Sequence, residues 1–149
     1  MDDLRQLYQE TILDHGRRPR NFGAMDDATH QADGYNPLCG DKVHLYLKVN
    51  DGVVEELKFE GQGCAISTSS ASLMTEALKG RSVQEARDLF ARVHAMLTGK
   101  QIDDEAGKLG KLAVFEGVKQ YPLRVKCATL AWHTLENALA GGGEVAKTE

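Results

Sequence analysis

The sequence predicts an α+β fold: a small three-stranded antiparallel sheet packed against a layer of helices. A strand-turn-strand pattern lies in residues 43–59, helical periodicity flanks it on both sides, and an apolar content of 42% in 149 residues suffices for one core. One domain is expected over residues 1–141, with a disordered tail at 142–149, GGEVAKTE. With 18 Lys and Arg against 22 Asp and Glu, the net charge of −4 is poor footing for neutralising phosphates, so no nucleic-acid partner is expected. The opening MDDLRQLYQETILDHG has no apolar run of signal-peptide or spanning type, and none follows, so a cytoplasmic protein without a membrane partner is expected.

Leu4, Leu7, Tyr8, Thr11 and Ile12 recur at helical spacing behind Asp2 and Asp3, which predicts a helix near 3–15 closed by Gly16. The basic RRPRNFG then reads as a loop. Val43, Leu45, Leu47 and Val49 alternate with polar neighbours, Asn50-Asp51-Gly52 supplies a tight turn, and Val53 to Phe59 returns as a second strand. Gln31 to Tyr35 adds a third. Beyond Gly61-Gln62-Gly63-Cys64, the run AISTSSASLMTEALKG predicts a helix with Leu73, Met74, Ala77 and Leu78 inward and Gly80 as its stop. Ser82-Val83-Gln84-Glu85 is a capping box opening another helix, with Ala86, Leu89, Phe90, Val93 and Leu97 on one face. TGKQIDDEAGKLG reads as an exposed loop leading to a short helical piece through Ala113, Val114 and Val118. Tyr121-Pro122 breaks the chain before a last helix carrying Ala131, Leu135, Ala138 and Leu139.

Three cysteines, Cys39, Cys64 and Cys127, cannot all pair, and no export signal accompanies them, so a disulfide framework is not expected. In NPLCGDK, Cys39 and Asp41 stand two apart, and in extended backbone such side chains project to the same side. Cys64 and Cys127 are each placed in the opening turn of a helix, where free N–H groups favour a thiolate, and Arg124 and Lys126 push Cys127 the same way. Thiolates with a carboxylate suit Zn2+, but the cysteines lie far apart in the chain, so a shared site and unrelated buried thiols remain two open readings.

The histidines rank lower. His94 and His133 fall on helices as polar flank or core contacts, His15 and His30 lack a partner pattern, and His44 alternates out of phase with Asp41. No serine-hydrolase order, phosphate loop or dinucleotide fingerprint occurs, and GQGC is not GxGxxG; its glycines give clearance around Cys64 or a turn.

LYQETILDHGRRPRNFG, NPLCGD, FEGQGCAISTSSASLM and PLRVKCATLAWHTLENAL occur in that order and cover most of the chain. Together they resemble the SufU-type branch of the IscU and NifU-like iron-sulfur cluster assembly proteins. The resemblance implies a SufE/NifU-like, IscU-like fold and a zinc site formed by Cys39, Asp41, Cys64 and Cys127. It further implies a zinc-dependent sulfurtransferase that takes persulfide sulfur onto Cys39 from a pyridoxal-phosphate-dependent cysteine desulfurase of the SufS type. The PLP belongs to that partner, and downstream iron-sulfur assembly proteins would be further partners. Arg124 and Lys126 are candidates for guiding the anionic persulfide. IscU proteins carry a histidine where this chain has Lys126, and residues 81–111 match the longer segment of the SufU branch. Both departures favour sulfur transfer over the alternative, a scaffold holding a transient [2Fe-2S] or other iron-sulfur cluster on the same cysteines.

Overall fold

The computed structural model describes the backbone of residues 2–100, 109–141 and 146–147 and the side chains of 9–100 and 109–141. The elements run α1 (Asp2–Arg17), β1 (His30–Asn36), β2 (Asp41–Asn50), β3 (Val53–Gln62), α2 (Ala65–Leu78), α3 (Val83–Leu97), a 3-10 segment (Gly110–Gln120), α4 (Pro122–Leu139) and β4 (Ala146–Lys147). β1, β2 and β3 form the expected antiparallel meander. Within the tail expected to be disordered, 146–147 pair in parallel with Gly34 and Tyr35 at the sheet edge, giving the order β3-β2-β1-β4. The remainder of 142–149 lies outside the described residues.

Alternation decides which sheet face is covered. On β2, Asp41, Val43, Leu45 and Leu47 are buried while Lys42, His44 and Tyr46 face outward. The β2–β3 turn places Asp51 at φ 52 and Gly52 at φ 76, the twist that a two-residue hairpin turn demands. Helices cover the inner face, with α4 crossing β1 and β2 and α2 wedged between α1 and α4. Closeness there depends on Gly34, since a Cβ at that position would run into Thr134 Oγ1 and Leu130 on α4.

α2 is buried on both sides and uses small hydroxyl residues where an apolar stripe alone would not fit. Ser70 donates to the Ala128 carbonyl at 2.5 Å, and Ser72 Oγ lies 2.7 Å from His15 Nδ1 while accepting the Arg20 N–H at 2.8 Å. The basic loop is thereby a latch. Arg20 also reaches Asp14 at 2.7 Å, Asn21 donates to Thr75 Oγ1 at 3.0 Å, and Gly23 and Asn21 pair with the Phe59 backbone.

Gly16 does not stop the first helix, which continues to Arg17. Its missing side chain instead admits α2, because a Cβ there would lie 3.2 Å from Ala65 Cβ. The Ser82/Glu85 capping box forms as expected. α3 packs on α4 through Phe90, whose ring stacks on the fully buried Trp132 with centroids 6.0 Å apart. Of the expected polar loop, residues 101–108 lie outside the described residues. The helical piece after it is the 3-10 segment, anchored by buried Leu112, Val114, Phe115 and Val118. The side chains of Leu4, Leu7 and Tyr8 lie outside the described residues. Among the described residues, no helix is long and apolar enough to cross a membrane.

Candidate metal centre

One end of the sheet gathers the three cysteines and Asp41. Asn36 and Asp41 close the β1–β2 register, and the chain between them, Pro37 to Gly40, is the hairpin loop that carries Cys39. The Asn36 carbonyl accepts the N–H groups of Gly40 at 2.8 Å and Cys39 at 3.3 Å, which folds the loop over. Gly40 takes φ 74, a conformation unstrained for glycine. Cys39 and Asp41 therefore converge through a bend at Gly40, not through the strand alternation that their spacing suggests. Asp41 itself owes its burial to alternation, being 1% exposed in phase with Val43 and Leu45.

Cys64 is the N-cap of α2, as its sequence position implies, with its sulfur 3.4 Å from the Ser67 N–H. Its own N–H donates to Asp41 Oδ1 at 2.9 Å, and its sulfur lies 3.8 Å from Asp41 Oδ2. A Cβ on Gly63 would stand 2.6 Å from Asp41 Oδ1, so clearance is the role that this glycine of GQGC fills.

Cys127 departs from its expected placement. α4 begins at Pro122, so Cys127 sits in the second turn, where its sulfur faces the Leu123 carbonyl at 3.6 Å and no free N–H group helps it. It falls on the stripe of Leu130, Ala131 and Thr134 and is 3% exposed. Burial first, then Asp41, Cys39 and Cys64, push its thiol up, opposite to the shift expected from a helix start.

The Cys127 and Cys39 sulfurs are 3.5 Å apart, and candidate donor atoms of Cys39, Asp41 and Cys127 all fall within 4.8 Å of one another. Cys64 falls outside that mutual grouping and borders it through Asp41, with its sulfur 3.8 Å from Asp41 Oδ2. Two sulfurs and a carboxylate this close, with a third sulfur bordering them, repel one another when anionic unless a cation is present, and soft sulfur with one hard oxygen is a donor set that fits Zn2+. Cys39 and Cys64 are exposed to solvent, and Leu38 and Leu123 beside the site are 57% and 60% exposed.

Arg124 and Lys126 are not drawn into the group. The Arg124 guanidinium lies 5.4 Å from the Tyr121 ring centroid, and neither side chain makes a hydrogen bond or ion pair with the cysteines or Asp41 among the described residues. His44 points away, bonded to Asp33 at 2.5 Å and Gln31 at 2.9 Å on the open sheet face. One residue went unremarked in the sequence. Asn36 is fully buried, receives the Leu38 N–H at Oδ1 (3.3 Å) and donates from Nδ2 to Cys127 Sγ at 3.6 Å. Its available signal was the Asn-Pro step, which marks a side-chain-stabilised turn.

Comparison with known proteins places these features in a family context. The family described as NifU-like N terminal domain matches residues 7–128. The chain is 42% identical to the zinc-dependent sulfurtransferase SufU of Bacillus subtilis over 138 residues, covering 93% of this chain and 92% of that one. It is 46% identical over 136 residues to the iron-sulfur cluster assembly scaffold protein IscU of Thermotoga maritima, covering 91% and 94%. Among solved structures, FiSufU, an iron-sulfur cluster assembly scaffold protein for the SUF system of Fervidobacterium islandicum, superposes with a TM-score of 0.84 at 38% identity. That match covers 91% of this chain and 98% of the other.

Proposed function

This chain belongs to the NifU-like N-terminal domain family, and from that premise we propose that it is a zinc-dependent sulfurtransferase of iron-sulfur cluster biogenesis. The observation that carries the reading is the placing of Cys39: it is an exposed thiol on a hairpin loop, 3.5 Å from a buried cysteine sulfur. Cys39, Asp41, Cys64 and Cys127 are the residues that would hold zinc. When bound, the ion would keep its sulfur ligands deprotonated and shield them from oxidation.

The sulfur donor is a PLP-dependent cysteine desulfurase of the SufS type bearing a persulfide. The Cys39 thiolate attacks the outer sulfur of that persulfide. A new S–S bond forms on Cys39, the partner's S–S bond breaks, and the electron pair leaves on the partner's cysteine as a thiolate. No net oxidant is consumed. Asp41, Cys64 and Cys127 remain in place because each is fixed by a strand, a helix cap or a buried helix stripe. Exposed Leu38 and Leu123 offer an apolar rim for the partner beside Cys39. Arg124 and Lys126 lie on the first two turns of α4, the helix that carries Cys127, and are the candidates for guiding the anionic persulfide.

A second reading has a specific support: the Thermotoga relative named as a scaffold matches at 46% identity. Under it, the same cysteines assemble a transient iron-sulfur cluster for delivery to downstream proteins. One experiment separates the two. Desulfurase turnover of cysteine is followed with zinc-loaded wild-type protein and with Cys39→Ala, and persulfides are mapped by mass spectrometry of alkylated peptides. Sulfur transfer requires stimulated turnover and a persulfide on Cys39, both lost in the variant. Absence of both, with visible charge-transfer absorption after iron and sulfide are supplied, selects the scaffold.

A further inference from the structure

We propose that Asn36 is the positioning residue that divides the two adjacent sulfurs into a retained one, Cys127, and a reactive one, Cys39. The inference rests on the metal-site reading above. Asn36 touches three of the four candidate ligands at once. It pairs with Asp41 across the β1–β2 register, its carbonyl accepts the Cys39 N–H at 3.3 Å, and its side-chain amide donates to Cys127 Sγ at 3.6 Å.

The orientation of that amide follows from donor and acceptor logic. Oδ1 faces the Leu38 N–H at 3.3 Å, so a flipped amide would set N–H against N–H and oxygen against sulfur. The residue is fully buried, so the N–H···S contact meets no competing water. A donated hydrogen bond draws charge from a thiolate sulfur, lowering its nucleophilicity, and it orients the sulfur as outer-shell donors do for metal ligands. Cys39 Sγ receives no N–H donor among the described residues, its one sulfur contact being Cys127 Sγ at 3.5 Å, and its backbone is held by the loop that Asn36 folds. One side chain thus quiets the sulfur on α4 while its main chain presents the other to solvent.

The test uses Asn36→Ser, whose hydroxyl can still accept the Leu38 N–H but cannot reach Cys127. Zinc-loaded wild-type and variant proteins are treated with iodoacetamide, and modification is resolved by site, alongside zinc affinity by chelator competition. In wild type, Cys39 is modified first and Cys127 is protected. In the variant, Cys127 modification rises toward that of Cys39 and zinc affinity falls about 10–100-fold. An unchanged order of modification together with unchanged affinity overturns the proposal.

A second measurement needs no substitution. Wild-type protein is loaded with the spin-half isotope of cadmium, and proton–cadmium correlations are recorded. Correlations to the cysteine β-protons and to the Asn36 amide protons support the proposal, and this measurement decides the matter if Asn36→Ser does not fold. Cysteine correlations without one to Asn36 overturn it while leaving the metal site standing. Absence of cysteine correlations overturns the metal site as well.

Discussion

Asp41 holds Cys64 twice over, accepting its backbone N–H at 2.9 Å through one carboxylate oxygen and facing its sulfur at 3.8 Å with the other. A single buried side chain thereby joins the start of β2 to the start of α2, and the ligand role proposed for Asp41 would be superimposed on this structural one.

The two roles separate by substitution. Asp41→Asn keeps an oxygen for the Cys64 N–H and should leave the metal-free protein within about 1 kcal/mol of wild type. Asp41→Ala strands a partly buried donor and should cost about 1–3 kcal/mol. Both should weaken zinc binding in chelator competition. Equal denaturation midpoints for the two metal-free variants would show that the N–H contact does not stabilise the fold.

Gly63→Ala introduces a methyl 2.6 Å from Asp41 Oδ1 and 3.1 Å from its Cγ, so the buried carboxylate has to move. A destabilisation of about 1–3 kcal/mol in urea denaturation is expected, typical of overpacking, with weaker zinc binding because Asp41 must turn aside. Wild-type affinity and stability in this variant would mean that the Asp41 rotamer is not held as described.

Metal removal should be visible in stability. With free zinc about 1,000-fold above its Kd, the protein should gain about 4 kcal/mol over the chelated form, read as the shift in denaturant midpoint. A chelator that strips the ion without moving the midpoint would mean that binding is not coupled to the native arrangement of the four residues.

His15 is 2% exposed between Ser72 at 2.7 Å and Glu76 at 3.6 Å, and burial first, then Arg20, hold its pKa below 6.5, with Glu76 and Asp14 opposing. Lys111 acts with Arg20. The unfolded chain therefore binds this proton more readily than the folded one. Stability from neutral His15 is complete above pH 6.5 and is lost as pH falls below it toward the folded pKa, with a slope no steeper than about 1.4 kcal/mol per pH unit. His133, also lowered by burial and by His94, adds in the same direction. In metal-free protein, His15→Gln should flatten the profile of stability between pH 7 and 5 relative to wild type, and an unchanged profile would refute the assignment.

The sheet was legible because Val43, Leu45 and Leu47 alternate and Asn50-Asp51-Gly52 fixes the turn, both purely local signals. Cys64 was placed correctly for the same reason, since small residues after a glycine pair mark a helix start. Cys127 was misplaced by one turn: Pro122 at the first position of α4 begins the helix earlier than the charged RVK stretch suggests. Neither the Asn36 contact with Cys127 nor the latch of Arg20 and Asn21 on α2 could be read from pattern. They join residues 91, 52 and 54 positions apart, and such pairs are set by packing of complete elements.

The hairpin that carries Cys39 and Asp41 is complete once β2 has formed, yet the Cys127 sulfur it faces arrives 88 positions after Cys39. During synthesis, a ribosome must deliver nearly the whole domain before α4 can dock and close the group. On the proposed ligand set, an ion arriving early would meet only Cys39 and Asp41, joined later by Cys64, and could be exchanged for another. If the four residues hold an ion as proposed, lasting capture would have to wait for α4 to dock, making a retained ion a reporter of the completed fold.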